Sequence, residues 1–256
     1  MSEKSKGARR MADVSPQRRE ALSLGKAQTK TLVEAFVIDM ARLLATIYPE
    51  LKGVANEQIK PDDSFTKRMR AAGELVLKHK GPSAYGGLAT HASDTARGWA
   101  AYLLAAAPNL SFKQRLREIR ILADDSHFGV REWAWLAIRP GLTTDIPLAI
   151  DALQPWTRER SVNLRRYAVE ILRPRGVWCA HIPELKQQPE PALVLLEPLR
   201  SDPARYVQDS VANWLNDAAK CTPAWVRELC ARWSVESKTS ETKYICKRAL
   251  RSLKAK

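Results

Sequence analysis

Apolar residues recur along much of the chain at the three- and four-residue intervals that mark one face of an amphipathic helix. The stretch TLVEAFVIDMARLLATIY, residues 31–48, is the clearest case, and its broad apolar face is made by Leu32, Phe36, Ile38, Met40, Leu43 and Ile47. A further helix is predicted after Pro61, where Asp and Ser stand at an N-terminal cap, and another after Ser111. No stretch alternates apolar and polar residues as a half-buried strand would, so the pattern predicts an all-α chain.

One phrase recurs three times in the second half of the chain. It reads DDSHFGVREWAWLAIRP from Asp124, ERSVNLRRYAVEILRP from Glu159 and SDPARYVQDSVANWLND from Ser201. The equivalent apolar anchors are 34 and 43 residues apart, and they are Val130, Leu164 and Val207. Such a period is typical of stacked helical pairs, in which each pair buries its apolar face against its neighbours. The match to the HEAT pattern predicts a curved HEAT-like helical-repeat solenoid, an α–α superhelix.

Polar residues and prolines hold fixed places in these repeats. Asp125 and Asp202 each come five residues before an anchor, where a carboxylate caps the following helix or the turn before it. Pro140 and Pro174 come ten residues after their anchors and are predicted to end the first two repeat helices. Asp217 holds that position in the third repeat, which places it at the helix end on the concave face.

The start of the chain differs in composition from the rest. Residues 1–20 are polar and basic and predict a flexible arm, whereas residues 21–256 predict a single HEAT-like repeat domain. The start has no apolar core, so it is not a secretory signal, and no stretch approaches the 18 apolar residues of a membrane span. The four cysteines form no CxxC pair and the four histidines are equally dispersed. We therefore expect no metal site and a cytoplasmic, reduced protein.

The chain is strongly basic. It has 42 Lys and Arg residues against 28 Asp and Glu residues, a formal net charge of +14. Such an excess favours a polyanionic partner, because neutralising phosphates releases condensed counterions. The alternative is a basic but otherwise ordinary surface.

Three segments resemble a known family: VREWAW, EILRPRGVW and SVANWLNDAAK are similar to the bacterial HEAT-repeat DNA glycosylases that remove alkylated bases, specifically the AlkC-like branch. The resemblance covers roughly residues 111–256. It implies hydrolysis of the N-glycosidic bond of a cationic base in duplex DNA, without full base flipping, as the first step of base excision repair. The implied substrate is 3-methyladenine, with 3-methylcytosine and 1-methyladenine as alternatives. The implied protein is a monomer without cofactor or metal.

Some AlkC-like proteins carry a further C-terminal immunoglobulin-like domain that helps embrace the duplex. This chain ends at Lys256 after its last predicted helix, so we expect no such domain here.

The matched motifs carry over a set of site residues. The resemblance implies that four residues are catalytic: Glu132, Glu170, Trp178 and Asp217. It places Arg166 at the DNA beside them, and phosphate contacts are also expected from the basic residues of the repeat helices and of the C-terminal helix, namely Arg131, Arg139, Arg165, Arg173, Arg175, Lys247, Arg248 and Arg251.

The residue chemistry agrees with this assignment. An alkylated base leaves as a neutral molecule from a cationic ring, so the transition state resembles an oxocarbenium ion and needs negative charge beside it. A nearby carboxylate supplies that charge and can orient the attacking water. The face of a tryptophan attracts a cationic base with about 0.5–2 kcal/mol.

Each of these residues also has an ordinary structural explanation. Glu132 can pair with Arg131, Glu170 can pair with Arg166 four residues earlier, Asp217 can belong to a C-terminal turn, and Trp178 can be core. The alternative function is a non-catalytic HEAT-repeat scaffold that binds nucleic acid or a protein through a basic concave face.

Overall fold

The computed structural model describes residues 7–253. The described residues form α-helices, short 3-10 turns and loops, with no strand among them, which confirms the predicted all-α class. The chain divides between Ile138 and Arg139 into two compact units.

The first unit contains nine helices among its described residues: α1 (Pro16–Ser23), α2 (Leu32–Phe36), α3 (Met40–Ile47), α4 (Lys52–Gln58), α5 (Phe65–Lys80), α6 (Ala84–Ala89), α7 (Asp94–Ala106), α8 (Phe112–Ala123) and α9 (Phe128–Leu142), whose last turn belongs to the second unit. Serine or threonine hydroxyls cap the N-terminal ends of several of these helices. Ser111 forms the expected cap, because its Oγ accepts from the Gln114 N–H while the Gln114 side chain accepts from the Ser111 N–H.

Two predictions for the N-terminal region need correction. Residues 16–20 lie in α1 rather than in a flexible arm, and Arg18 of this helix pairs with the buried Glu34 at 2.6 Å. Residues 1–6 of the predicted arm lie outside the described residues. The apolar stretch at 31–48 forms two helices instead of one. Asp39 interrupts it because its carboxylate accepts from the Arg42 N–H at 2.9 Å and caps a new helix.

Glycines allow α5 and α7 to approach closely. A Cβ on Gly73 of α5 would lie 2.7 Å from Tyr102 Cβ and 2.8 Å from the Trp99 carbonyl oxygen, both on α7. Trp99 is fully buried, so the backbone and a large side chain leave no room for even a methyl group.

Gly73→Ala should therefore lower the free energy of unfolding by about 1–3 kcal/mol, because an added methyl overpacks this contact. Gly86→Ala is the matched control in α6, since a Cβ there would meet nothing within 4 Å. It should be neutral or stabilise by about 0.5–1 kcal/mol, as alanine favours a helix. Denaturant titration of both variants makes the comparison, and equal losses would contradict the close α5–α7 packing.

The second unit holds the last turn of α9 and seven further helices among its described residues: α10 (Ile146–Leu153), α11 (Val162–Glu170), α12 (Pro183–Gln187), α13 (Leu193–Leu196), α14 (Arg205–Ala219), α15 (Pro223–Glu236) and α16 (Ser240–Ala249).

The prolines act differently from the prediction. Pro140 lies inside α9, which continues to Leu142 because the Thr143 N–H still reaches the Arg139 carbonyl at 3.1 Å. The proline removes one N–H donor, and because only two residues of α9 follow it, the last turn still forms. Pro174 follows the end of α11 by four residues, so it does not end that helix, whereas Asp217 lies in the last turn of α14, at the helix end where it was expected.

The same arginine–aspartate pair connects neighbouring repeats within each unit. In the first unit Arg97 Nε lies 2.8 Å from Asp125 Oδ2, and in the second Arg165 Nε lies 2.6 Å from Asp202 Oδ2. Both aspartates also cap the next turn as predicted, because each accepts from the N–H two residues on. Arg97, Arg131 and Arg165 are spaced by 34 residues, so α7 belongs to an earlier repeat, ahead of the three that the sequence pattern indicated.

Candidate functional site

The second unit brings two predicted acidic residues together. Glu170 is the last residue of α11 and Asp217 lies near the end of α14, and both carboxylates are buried. Arg173 joins them, with Nη1 2.8 Å from Glu170 Oε1 and Nε 2.9 Å from Asp217 Oδ2. Two like charges can share a buried site only when a cation lies between them, and Arg173 supplies that cation.

Both oxygens of Glu170 have partners. Ser210 of α14 donates to Oε2 through its hydroxyl, and Arg166 Nη2 lies 3.7 Å from the same oxygen. Burial works to raise the pKa of the Glu170 carboxyl, but the charges of Arg166 and Arg173 and the hydrogen bonds outweigh it and hold the pKa below its usual value. Glu170 is therefore ionised at neutral pH.

The Asp217 carboxylate is less fully engaged than that of Glu170. Its Oδ2 accepts from Arg173, while Oδ1 has Lys220 Nζ at 3.9 Å, and the Lys220 side chain is 46% exposed. Asp217 itself is buried, and its Oδ1 has a longer ion-pair distance than the other oxygens of the two carboxylates.

Trp178 lies on the loop that leaves α11, which we call the site loop (residues 171–182). Its side chain is 50% exposed, and the neighbouring Val177 is 56% exposed. The backbone of Trp178 is left-handed, with φ of 62°, a conformation that bulky residues rarely adopt. The alternative that Trp178 belongs to the core is wrong, because half of its surface is accessible in the structure. Strain of this kind, about 1–3 kcal/mol, is typical of binding and active sites.

Cys179, the residue after Trp178, carries a thiol close enough to the carboxylates to interact with their charges. Burial raises the pKa of this thiol, and its electrostatic surroundings include Arg139, Arg173, Glu170 and Asp217. The residue that follows Trp178 therefore lies within the field of the buried pair.

Glu132 belongs to the first unit, on α9. Its Oε2 accepts from the indole N–H of Trp135 at 2.8 Å. The catalytic role of Glu132 remains a prediction.

Several predicted DNA-binding arginines have structural partners. Arg131 donates to the carbonyls of Asp125 and Ser126 at 2.7 and 3.0 Å. Arg166 is buried, and its guanidinium lies 4.4 Å from the centre of the Tyr206 ring. Arg175 Nη2 donates to the Cys221 sulfur at 3.0 Å. Arg166 and the bridging Arg173 thus shape the carboxylate site of the second unit, whereas Arg131 binds the turn before α9 in the first unit.

Phosphate contacts are also expected from Arg139 and Arg165, but both guanidinium groups bind partners within the protein. Arg139 is only 2% exposed and donates to backbone carbonyls. Arg165 pairs with Asp202. The expectation of phosphate contact is wrong for Arg139, since a side chain at this depth cannot reach a phosphate.

The C-terminal helix offers more accessible cations. Lys247 and Arg251 are exposed, and Arg251 Nη2 donates to Asn213 Oδ1 at 2.9 Å. Arg248 lies 3.4 Å from Asp209 Oδ1 and over the Tyr244 ring. This end of the second unit presents positive charge to solvent.

Ser210 is a site residue that the sequence pattern did not indicate. It comes three residues after the anchor Val207, and a lone serine in a helix carries no signal of its own. Its role follows only from the contact between α11 and α14.

Among residues 7–253, no group of three or more His, Cys, Asp and Glu side chains is arranged to hold a metal ion. None of the helices described above is long and apolar enough to span a membrane.

Comparison with known proteins gives one curated relative. The chain is 36% identical over 135 residues to the uncharacterized protein YhaZ of Bacillus subtilis (strain 168). The match covers 53% of this chain and 36% of YhaZ, so the chain spans about a third of the relative's length. No family model matches the chain.

Solved structures cover much more of the chain. It is similar to the alkylpurine DNA glycosylase AlkC of Pseudomonas fluorescens bound to DNA containing an abasic site analog, with a TM-score of 0.68 and 25% identity over 96% of this chain and 65% of that chain. AlkD2 from Streptococcus mutans gives a TM-score of 0.64 and 20% identity over 83% of this chain and 100% of its own. The paired helices with their repeated Arg–Asp contacts are thus the AlkC/AlkD-like HEAT-repeat fold, and this chain has that fold.

Proposed function

We propose that this protein is a DNA glycosylase that hydrolyses the N-glycosidic bond of cationic alkylated bases in duplex DNA. The observation that carries the proposal is the buried pair of Glu170 and Asp217, joined by Arg173 next to a loop that exposes Trp178. The fold shared with AlkC, which was solved on DNA with an abasic site analog, supports the same activity. The substrate we propose is 3-methyladenine, with 3-methylcytosine and 1-methyladenine as alternatives.

The chemistry needs negative charge more than it needs an acid. The cationic base leaves neutral, and positive charge then develops on the sugar. Asp217 Oδ1 is the oxygen best placed to stabilise that charge and to orient a water for attack. Because the pKa of Glu170 is lowered, this carboxylate also stays ionised, and neither group has to donate a proton to the base.

Arg173 and Trp178 have supporting roles in this mechanism. Arg173 keeps the two carboxylates together while both are charged. The exposed face of Trp178 gives the cationic base a surface to rest on, worth about 0.5–2 kcal/mol. Glu132 is proposed as a third carboxylate of the reaction.

The test is base release from DNA treated with a methylating agent, with the released bases separated and identified. Release of 3-methyladenine by the unmodified protein and its loss in Asp217→Asn would support the proposal. If the unmodified protein binds the DNA and releases no base, the protein is a nucleic-acid-binding scaffold instead.

Affinity for undamaged duplex should fall steeply as salt rises, because phosphate contacts release counterions. Replacing the exposed Lys247 and Arg251 by alanine should make this salt dependence shallower, since each cation neutralises about one phosphate. The double variant Lys52→Ala, Lys78→Ala removes two exposed charges from the first unit and serves as the charge-matched control. Fluorescence anisotropy over a salt series measures the slope, and equal slopes in all three proteins would contradict a role for the C-terminal cations.

A further inference from the structure

Arg139 is a buried cation whose hydrogen bonds converge on one loop. Its Nη1 donates to the Ile171 carbonyl at 2.5 Å, and its Nη2 donates to the carbonyls of Arg173 and Ala180 at 2.8 and 3.1 Å. Arg139 is 2% exposed, and its burial, which is costly for a charge, lowers the pKa of the guanidinium. A buried apolar residue would be expected to stabilise such a position at least as well, so packing alone does not account for an arginine here.

The three acceptors lie at both ends of the segment that carries Trp178. Ile171 and Arg173 follow the last turn of α11, where helix carbonyls lack partners in their own helix, and Ala180 lies where the loop returns. One planar guanidinium thus joins the two ends of the segment. The Ile182 N–H closes it further by donating to the Pro174 carbonyl at 3.0 Å.

The site loop also packs directly against this guanidinium. A Cβ on Gly176 would collide with the Cys179 sulfur and would lie 3.5 Å from Arg139 Cζ. These contacts lie on both sides of Trp178 along the loop, and its left-handed, strained backbone persists only where its surroundings hold it.

We propose that Arg139 is the positioning residue of the site loop: it sets the place of Trp178 and of the Arg173 backbone without touching the substrate. The inference rests on the proposed function for its effect on catalysis. Its effect on the loop is independent of any activity, and the experiment uses that difference.

The loop measurement is the alkylation rate of Cys179 by iodoacetamide, followed by mass spectrometry in a Cys221→Ser background. Cys221 is the exposed thiol, whereas Cys230 and Cys246 are buried, so Cys179 then reports on the site loop. Arg139→Lys keeps the positive charge near this thiol but cannot span three carbonyls with a planar fork. We expect alkylation roughly tenfold faster, because the loop opens more often.

Arg97→Lys is the matched control, since Arg97 is also buried and donates to two carbonyls, those of His91 and Ala92, in the first unit. It should leave Cys179 alkylation unchanged. In single-turnover assays Arg139→Lys should release 3-methyladenine on the order of 10- to 100-fold more slowly with little change in DNA affinity, as expected for misplaced groups. Arg97→Lys should keep the parental rate.

Arg139→Met is the second variant if the lysine protein does not fold, because it fills the space without a buried charge. Removing the cation makes the Cys179 thiolate less favourable, which by itself would slow alkylation. Faster alkylation in this variant would therefore strongly support the positioning role of Arg139. Alkylation at the parental rate in the Arg139 variant that folds, or an equal increase in Arg97→Lys, would overturn the proposal. If the parent protein releases no base, the proposed function fails, and the alkylation comparison still decides the role of Arg139.

Discussion

Asp217→Asn should lower the single-turnover rate of 3-methyladenine release by about 10²–10³-fold, the usual effect of removing one electrostatic group from a transition state. Asparagine keeps the volume and can still accept from Arg173, but it carries no charge toward the developing oxocarbenium ion. Oδ1 of Asp217 lies 3.9 Å from the partly exposed Lys220 Nζ, and we propose that this oxygen acts on the substrate. Affinity for undamaged duplex should be nearly unchanged.

Glu170→Gln makes the same chemical change on the partner carboxylate. We expect a loss of similar order, and the double variant should lose less than the product of the two, because both residues act on one transition state. Ser210→Ala is a control that removes a neutral donor to Glu170 and keeps both charges. Wild-type rates in both carboxylate variants would show that the catalytic groups lie elsewhere in the protein.

Arg173→Met should lower the free energy of unfolding by about 3–5 kcal/mol at neutral pH, the usual result of removing one partner from a buried ion pair. The variant leaves Glu170 and Asp217 buried without the cation that joins them. Arg42→Met is the control, because it breaks an exposed pair with Glu20 in which both side chains are about half accessible. That pair should contribute at most about 1 kcal/mol. Urea titration measures both differences.

The loss of unfolding free energy in Arg173→Met should also depend on pH. In the wild type the folded-state pKa of Glu170 is lowered, so its contribution is fully present above the pKa of the unfolded chain and is lost as pH falls through the folded-state value. Without Arg173 burial dominates, and Glu170 takes up a proton more easily. The free energies of unfolding of the wild type and Arg173→Met should therefore converge as pH falls from 7 toward about 4, near the ordinary carboxyl pKa. A difference that stays constant over this range would contradict the role of Arg173 as the bridging cation.

Local sequence signals predicted local structure well. Ser111, Asp125 and Asp202 cap the turns that their positions indicated, because a cap depends on one short side chain and an N–H two or three residues away. The same physics explains Asp39. Its capping potential was present in the sequence, but the longer apolar pattern around it favoured one continuous helix.

The resemblance to AlkC-like glycosylases supplied Glu170, Asp217 and Trp178, and the structure brings the two carboxylates together. The pairing of Glu170 with Arg166 was open in the sequence, and the structure places these side chains 3.7 Å apart. The bridge through Arg173 could not be predicted, because Arg173 and Arg139 hold equivalent places in successive repeats and bind different partners. Arg173 meets two carboxylates, whereas Arg139 meets three carbonyls and is buried. From the sequence alone, both arginines are simply positive charges and both are expected to contact phosphates.

The sequence by itself determined the helical class, the repeat period and the capped turns, since each depends on residues close together along the chain. Only the tertiary structure decided which cations remain accessible and which are bound inside. That outcome depends on how α11, α14 and the last turn of α9 pack. A buried guanidinium must be paired or hydrogen-bonded, so its partners are the carboxylates and carbonyls that this packing brings near it. The left-handed backbone and the exposed side chain of Trp178 likewise depend on the conformation of the folded loop.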